Sequence, residues 1–247
     1  MSIRLTTTTT TRTTIGDLVA ADFRAAAVFQ GFGIDFCCGG RRSFEEACED
    51  AAVDPGEVRR EIDALPAAGR EGDVTGWPLD RLIDHILEVH HDYVRAALPT
   101  IAKYLTKLNE VHGSRHPELA TVASHFARMR TELGQHMMKE EQVLFPYIRE
   151  LLSTGVADRR NASPFGTIEN PIRMMQREHR EAADELDAIK ALTSGYVPPS
   201  DGCVTYAVCM AELQRFERDL HRHVHLENNV LFPRAVELES GLQSDIG

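Results

Sequence analysis

From Leu79 to Leu238 apolar residues recur with a period near 3.6, and no stretch shows the period of two that a half-buried strand requires. That pattern predicts long amphipathic helices. The first runs from about Leu79 to Asn109 and stops near His112-Gly113-Ser114; the second begins at His116-Pro117-Glu118 and continues past Leu152. A polar loop carrying Gly and Pro over 153–167 separates the halves. Asn170-Pro171 then starts a third helix with proline at its first helical position, ending near Gly195. After Val197-Pro198-Pro199, Asp201 opens a fourth that extends to about Leu238. Four long helices with short connections predict an up-down-up-down bundle over 79–238.

Upstream the pattern is finer. Ile15, Leu18, Val19, Phe23, Ala26 and Val28-Phe29 recur at helical spacing, and Gln30-Gly31-Phe32-Gly33 closes that helix. A compact turn follows, Ile34-Asp35-Phe36-Cys37-Cys38-Gly39-Gly40. Ser43 with Glu46 makes a capping box for one short helix, and Asp54-Pro55 opens another through Val58, Ile62 and Leu65. Residues 14–68 therefore form a small helical domain, at the low edge of what buries its own core. The glycine-rich stretch 69–78 reads as a linker, the threonine run within 1–13 as a solvated tail, and 239–247 as a second tail. The fold class expected is all-α: a small helical domain followed by a four-helix bundle.

The bundle is duplicated. His136-Met137-Met138-Lys139-Glu140-Glu141-Gln142-Val143-Leu144-Phe145-Pro146 matches His223-Val224-His225-Leu226-Glu227-Asn228-Asn229-Val230-Leu231-Phe232-Pro233 at His, at Glu four residues on, and at Val-Leu-Phe-Pro. One more histidine, His91 or His179, lies at nearly the same distance upstream of each copy. His136 and Glu140 share a helix face, separated by about 6 Å of rise, so both side chains can reach one centre. That face is apolar, continued by Met129, Leu133, Val143 and Tyr147; Phe216, Leu220 and Val230 do the same for His223 and Glu227. Ile172, Met175, Ala182, Leu186 and Ile189 flank His179, and Leu87, Val94, Leu98 and Ile101 favour His91 over its neighbour His90.

A carboxylate in a bundle core costs several kcal/mol unless something positive meets it. Two such carboxylates at symmetric positions, with no Lys or Arg on the same stripe, ask for a multivalent cation. Four His and two Glu exceed one tetrahedral zinc and lack the oxygen-rich shell of calcium or magnesium. Two transition ions fit. With both carboxylates bridging, each ion receives two nitrogens and two oxygens, and an oxo or hydroxo bridge would leave one position open on each. Imidazole plus carboxylate suits iron, with manganese as the alternative. His85, His112, His116, His125, His221 and His225 are expected at the surface or beside the ligands. Glu132 and Glu178 are candidates to neighbour the site, and the Val-Leu-Phe-Pro segments read as packing and helix termination.

Charge sharpens the reading. Lys and Arg number 27 against 38 Asp and Glu, a net −11, which argues against nucleic acid or an anionic membrane as partner and for cations. No stretch approaches the length of a spanning helix, and no apolar core follows a basic start, so a cytoplasmic location is expected. Five cysteines are too few and odd for a disulfide framework, so reduced thiols are expected. Adjacent Cys37 and Cys38 would form only a strained bridge. Gly39, Gly40, Arg41 and Arg42 beside them suggest a lowered thiol pKa and a thiol or metal-transfer role, weighed against a small buried pair. Cys48, Cys203 and Cys209 carry no motif and read as core.

On these residues the chain resembles the iron–sulfur cluster repair di-iron proteins, the repair-of-iron-centres family within the hemerythrin-like superfamily. Asp35-Phe36-Cys37-Cys38-Gly39-Gly40 is similar to the family's N-terminal signature, and the two copies above are similar to its bundle motifs. The resemblance implies that His91, His136, His179 and His223 are terminal ligands and that Glu140 and Glu227 bridge two irons. It implies repair of iron–sulfur centres damaged by nitric oxide or oxidants through iron supplied from a labile centre. Iron–sulfur proteins or their assembly scaffold would be the recipients. The oligomeric state stays open, a dimer included. An oxygen carrier of this superfamily would place a fifth His one turn from His179, where Met175 and Ala183 stand, and an Asp where Asn228 stands. The alternative reading is a sensor that binds nitric oxide or oxygen, or a low-turnover nitric oxide reductase.

Overall fold

The computed structural model describes residues 13–65, 73–153 and 165–244, with side chains described to 241, and divides into two compact units, 1–75 and 76–247. Residues 1–12 of the expected tail, 69–72 of the expected linker, 154–164 of the expected loop and the last residues of the chain lie outside the described residues. Among the described residues the structure is helical, its only β feature an isolated bridge between Thr14 and Ser43. No helix among them is long and apolar enough to cross a membrane.

The first unit contains four short helices: α1 (Ile15–Ala21), α2 (Ala25–Gly31), α3 (Phe44–Asp50) and α4 (Pro55–Asp63). The expected single helix over 15–29 is broken at Asp22, whose backbone is extended and whose carboxylate accepts from the backbone and guanidinium of Arg24. Neither Gly nor Pro marks that break. Thr14 caps α1 and Ser43 caps α3, each in a reciprocal capping box, and Asp54 caps α4 ahead of Pro55. Ile15, Val19, Phe29, Phe44, Cys48 and Val58 are buried together as its core.

The second unit is built from four rods. Rod α5 (79–112) joins Leu79–His85, a π-helical turn Ile86–His91 and Asp92–His112. Rod α6 (118–153) joins Glu118–Lys139, a π turn Glu140–Leu144 and Phe145–Ser153. Rod α7 is Glu169–Leu192, and α8 (204–244) joins Val204–His225, a π turn Leu226–Leu231 and Phe232–Ser244. Adjacent rods pack α5 on α6, α6 on α7 and α8 on α5.

A π turn accommodates one extra residue, so it rotates everything beyond it onto a new face. Val143, expected on the apolar stripe, is 45% exposed, while Leu144, Phe145 and Ile148 are buried. Likewise the stripe before His91 runs through Leu82, Ile83 and buried Ile86, leaving Leu87 half-exposed. Nor do the Val-Leu-Phe-Pro segments terminate helices: both rods continue past Pro146 and Pro233. Each proline follows a change of hydrogen-bond register, where a missing N–H costs least. Rod α8 also outruns its expected end at Leu238. Glu239 is buried, and its carboxylate accepts from Tyr147 Oη at 2.7 Å, Thr167 Oγ1 at 2.9 Å and Ile168 N at 3.1 Å. It thereby caps the start of α7.

Candidate metal centre

All six expected ligands meet inside the second unit. His91 and Glu140 sit on or beside π turns of α5 and α6, His136 on the last α-turn before Glu140, His179 midway along α7, and His223 and Glu227 on α8. They form two overlapping groups, His91-Glu140-His223-Glu227 and His136-Glu140-His179-Glu227, whose donor atoms lie within 4.8 Å of one another in each group. The histidines pair across the two hairpins: His91 Nε2 faces His223 Nε2 at 3.1 Å, and His136 Nε2 faces His179 Nε2 at 3.0 Å.

The carboxylates stand between these pairs. Glu140 sets Oε2 3.4 Å from His91 and Oε1 3.3 Å from His136; Glu227 sets Oε1 2.9 Å from His223 and Oε2 3.1 Å from His179. Each carboxylate thus gives one oxygen to each pair. Both glutamates are 0% exposed, and Glu140 Oε1 and Oε2 and Glu227 Oε2 accept no hydrogen bond. Uncompensated, such burial is strongly unfavourable.

The outer imidazole nitrogens fix what the inner ones can do. His91 Nδ1 meets Glu141 Oε1 at 2.6 Å, His136 Nδ1 meets Glu178 Oε2 at 2.9 Å and His179 Nδ1 meets Asn228 Oδ1 at 3.1 Å. Those oxygens accept, so each Nδ1 carries the hydrogen and each Nε2 points a lone pair inward. Two lone pairs about 3 Å apart repel until a proton or a metal ion comes between them. Burial pulls the His136 pKa down, but the close Glu140 carboxylate and the hydrogen bond with Glu178 outweigh it and push it up to about 10. His91 is also raised: its burial is overcome by Glu140, Glu227 and Glu141. His223 is lowered, chiefly by burial and by the charge of His91. Burial and mutual repulsion raise Glu140, yet His136 and His91 hold it below the ordinary value; His223 and His179 hold Glu227 well below it. Orphaned buried oxygens, converging lone pairs and a four-nitrogen, two-carboxylate donor set fit a pair of transition-metal ions.

Of the expected neighbours, Glu178 orients His136 and also receives Lys139; hydrogen bonds to His136 and Lys139 hold its pKa at about 2. Glu132 lies one turn before His136. It is exposed and lines a cavity of about 90 Å³ with Leu133, His136, Glu178 and Glu181. Glu141 had not been singled out, and Asn228 had been noted only as standing where an oxygen carrier would place Asp, though the repeat aligns them, each directly after a candidate bridging glutamate. His90, beside His91, is buried too: its Nδ1 meets Asp219 Oδ1 at 3.0 Å and its ring stacks on His223. His225 and His112 are buried rather than superficial, the first paired with Asn229 and the second with Cys203 at 3.3 Å.

In the first unit Asp35, Cys37 and Cys38 form a third group of candidate ligand atoms. Asp35 Oδ1 accepts from the backbone N–H of Cys37 at 3.0 Å and of Cys38 at 2.9 Å, and from the Cys37 thiol at 3.3 Å. The expected lowering of a thiol pKa does not hold for Cys37. A hydrogen bond with Cys38, burial and the Asp35 charge hold it well above the ordinary value. Arg42 spends its guanidinium on Asp50 and on the carbonyls of Gly39 and Asp35. Cys203 is exposed at the cap of α8, not core as expected.

The hemerythrin HHE cation binding domain family matches residues 82–235, and the ScdA_N family, described as a domain of unknown function (DUF542), matches residues 11–66. The chain is 34% identical over 222 residues, 90% of its length and 95% of the relative's, to the iron-sulfur cluster repair protein YtfE of Cronobacter sakazakii. It is 34% identical over 229 residues, 92% of its length and 97% of the relative's, to that of Musicola paradisiaca. The figure for Escherichia coli O1:K1 / APEC is 33% over 222 residues, covering 90% and 96%.

Proposed function

From the premise that the chain belongs to the hemerythrin HHE cation-binding family and, over nine-tenths of its length, to the iron-sulfur cluster repair proteins, we propose that it repairs iron–sulfur clusters with iron that it carries itself. One ion would lie between His91 and His223 and the other between His136 and His179, both shared by Glu140 and Glu227. Iron suits the donor set, with manganese the alternative. When bound, the pair supplies exchangeable ferrous or ferric ions, and here it is cargo for clusters damaged by nitric oxide or oxidants. One observation carries the reading: two wholly buried carboxylates split their oxygens between two pairs of converging imidazoles.

The chain's own residues hold that cargo without locking it in. Glu141, Glu178 and Asn228 aim three of the four imidazoles, and such partners also raise ligand basicity. The cavity beside His136, lined by Glu132, Glu178, Glu181 and Lys139, places carboxylates next to one ligand of the centre. Cys37 and Cys38 are assigned to the recipient side, where a protonated, hydrogen-bonded thiol becomes a metal ligand only when an incoming ion displaces its proton.

Iron analysis of purified protein tests this directly. About two irons per chain are expected, together with their loss in Glu140→Ala and Glu227→Ala, and transfer of iron to a protein whose cluster has been damaged. Full iron retention in both variants would remove the site. Tight retention alongside binding of nitric oxide would favour a sensor instead.

A further inference from the structure

The duplicated halves treat their outer imidazole nitrogens unequally. In the pair His136 and His179 both Nδ1 atoms meet an oxygen, from Glu178 and Asn228. In the pair His91 and His223 only His91 does, through Glu141. His223 is 1% exposed, and its Nδ1 has no hydrogen-bond partner.

The repeat supplies the reason. Glu178 immediately precedes His179, and the residue preceding His91 in the other half is His90. His90 cannot do what Glu178 does. Its ring lies against His223 with centroids 5.6 Å apart and planes 7° from parallel, so its in-plane nitrogens do not point at the in-plane Nδ1 of His223. Its own Nδ1 is committed to Asp219 at 3.0 Å, and its Nε2 is buried without a partner. Where one half offers a carboxylate to hold and polarise a ligand, the other offers a stacked ring. Losing an outer partner of this kind typically weakens a metal site about 10- to 100-fold.

Resting on the two-ion reading above, we propose that the two ions are held unequally. The ion between His91 and His223 is the weaker and leaves first, with His90 and Glu178 as the positioning residues that set the difference. The consequence suits a donor. The ion that stays, on His136 and His179, keeps Glu140 and Glu227 neutralised, so one ion can be given up without leaving two buried carboxylates facing each other.

The test follows ferrous ion leaving the full-length, iron-loaded protein to an excess of a coloured ferrous chelator without oxygen. Two phases of equal amplitude are expected, with rates about 10- to 100-fold apart. Glu178→Gln should bring the slow phase toward the fast one and leave the fast one where it was. His90→Glu should slow the fast phase. Loaded stoichiometry and circular dichroism of each variant confirm that the site and the helices are intact, and Glu178→Gln decides the matter alone if His90→Glu does not fold. A single phase in the unaltered protein, or an unmoved slow phase in Glu178→Gln, overturns the inference while two bound ions preserve the reading beneath it. Failure to load two ions overturns both.

Discussion

An imidazole has two nitrogens, and the sequence speaks for only one of them. That His91, His136, His179 and His223 turn inward follows from apolar stripes and from the repeat. What holds each outer nitrogen depends on which side chain a neighbouring rod presents, so Glu141 went unnamed and Asn228 was noted only as a departure from an oxygen carrier's Asp. The protonation of these rings gives a prediction. His136 has its folded pKa raised to about 10, so its protonated form contributes stability to the metal-free chain in full below the ordinary value of 6.5, and loses it as pH rises through about 10. A metal ion must displace that proton. Ferrous loading at neutral pH is therefore expected to release acid into a weakly buffered solution, visible with an indicator dye. Apparent affinity should climb with pH through the neutral range, about tenfold per unit for each proton displaced. Loading that releases no proton at pH 7 would contradict the hydrogen-bond assignment around His136.

At the scale of the element, the period of the apolar stripe located the rods, but it carried no sign of the three π turns at Ile86–His91, Glu140–Leu144 and Leu226–Leu231. Nothing in the composition of these turns distinguishes them from α-helix. They lie at the centre, where ligands on four rods converge, and a widened turn re-aims a ligand while the rod continues. The register shift has a measurable consequence. A regular helix through Glu140 would bury Val143; here Val143 is exposed and Leu144 is 1% exposed. Val143→Asp should leave stability within about 0.5 kcal/mol, whereas Leu144→Ala should cost about 2–5 kcal/mol. Urea denaturation of the metal-free proteins measures both. A costly Val143→Asp would mean that α6 runs without the extra residue.

At the scale of the molecule, the duplication was legible because both copies keep His, Glu and Val-Leu-Phe-Pro in register, and from it came the count of six ligands. The pairing of His91 with His223 and of His136 with His179 was not legible, since it depends on how one hairpin faces the other. The chain divides into two compact units, so the storage and transfer roles proposed above can be tested separately. Ions that bind only the folded bundle stabilise it by mass action, by about 2.7 kcal/mol per site when the free ion stands at 100 times its Kd. Stripping iron with a chelator should accordingly lower the thermal midpoint of the iron-loaded protein, as followed by circular dichroism. Glu227→Ala should melt at one temperature with or without chelator, because the ion has lost a carboxylate that both halves need. The double variant Cys37→Ser, Cys38→Ser should keep the whole chelator-dependent shift and its two irons, yet fail to restore a damaged cluster. A cysteine variant that lost the shift would make the thiols part of the iron store, and one that repaired clusters normally would remove them from the transfer.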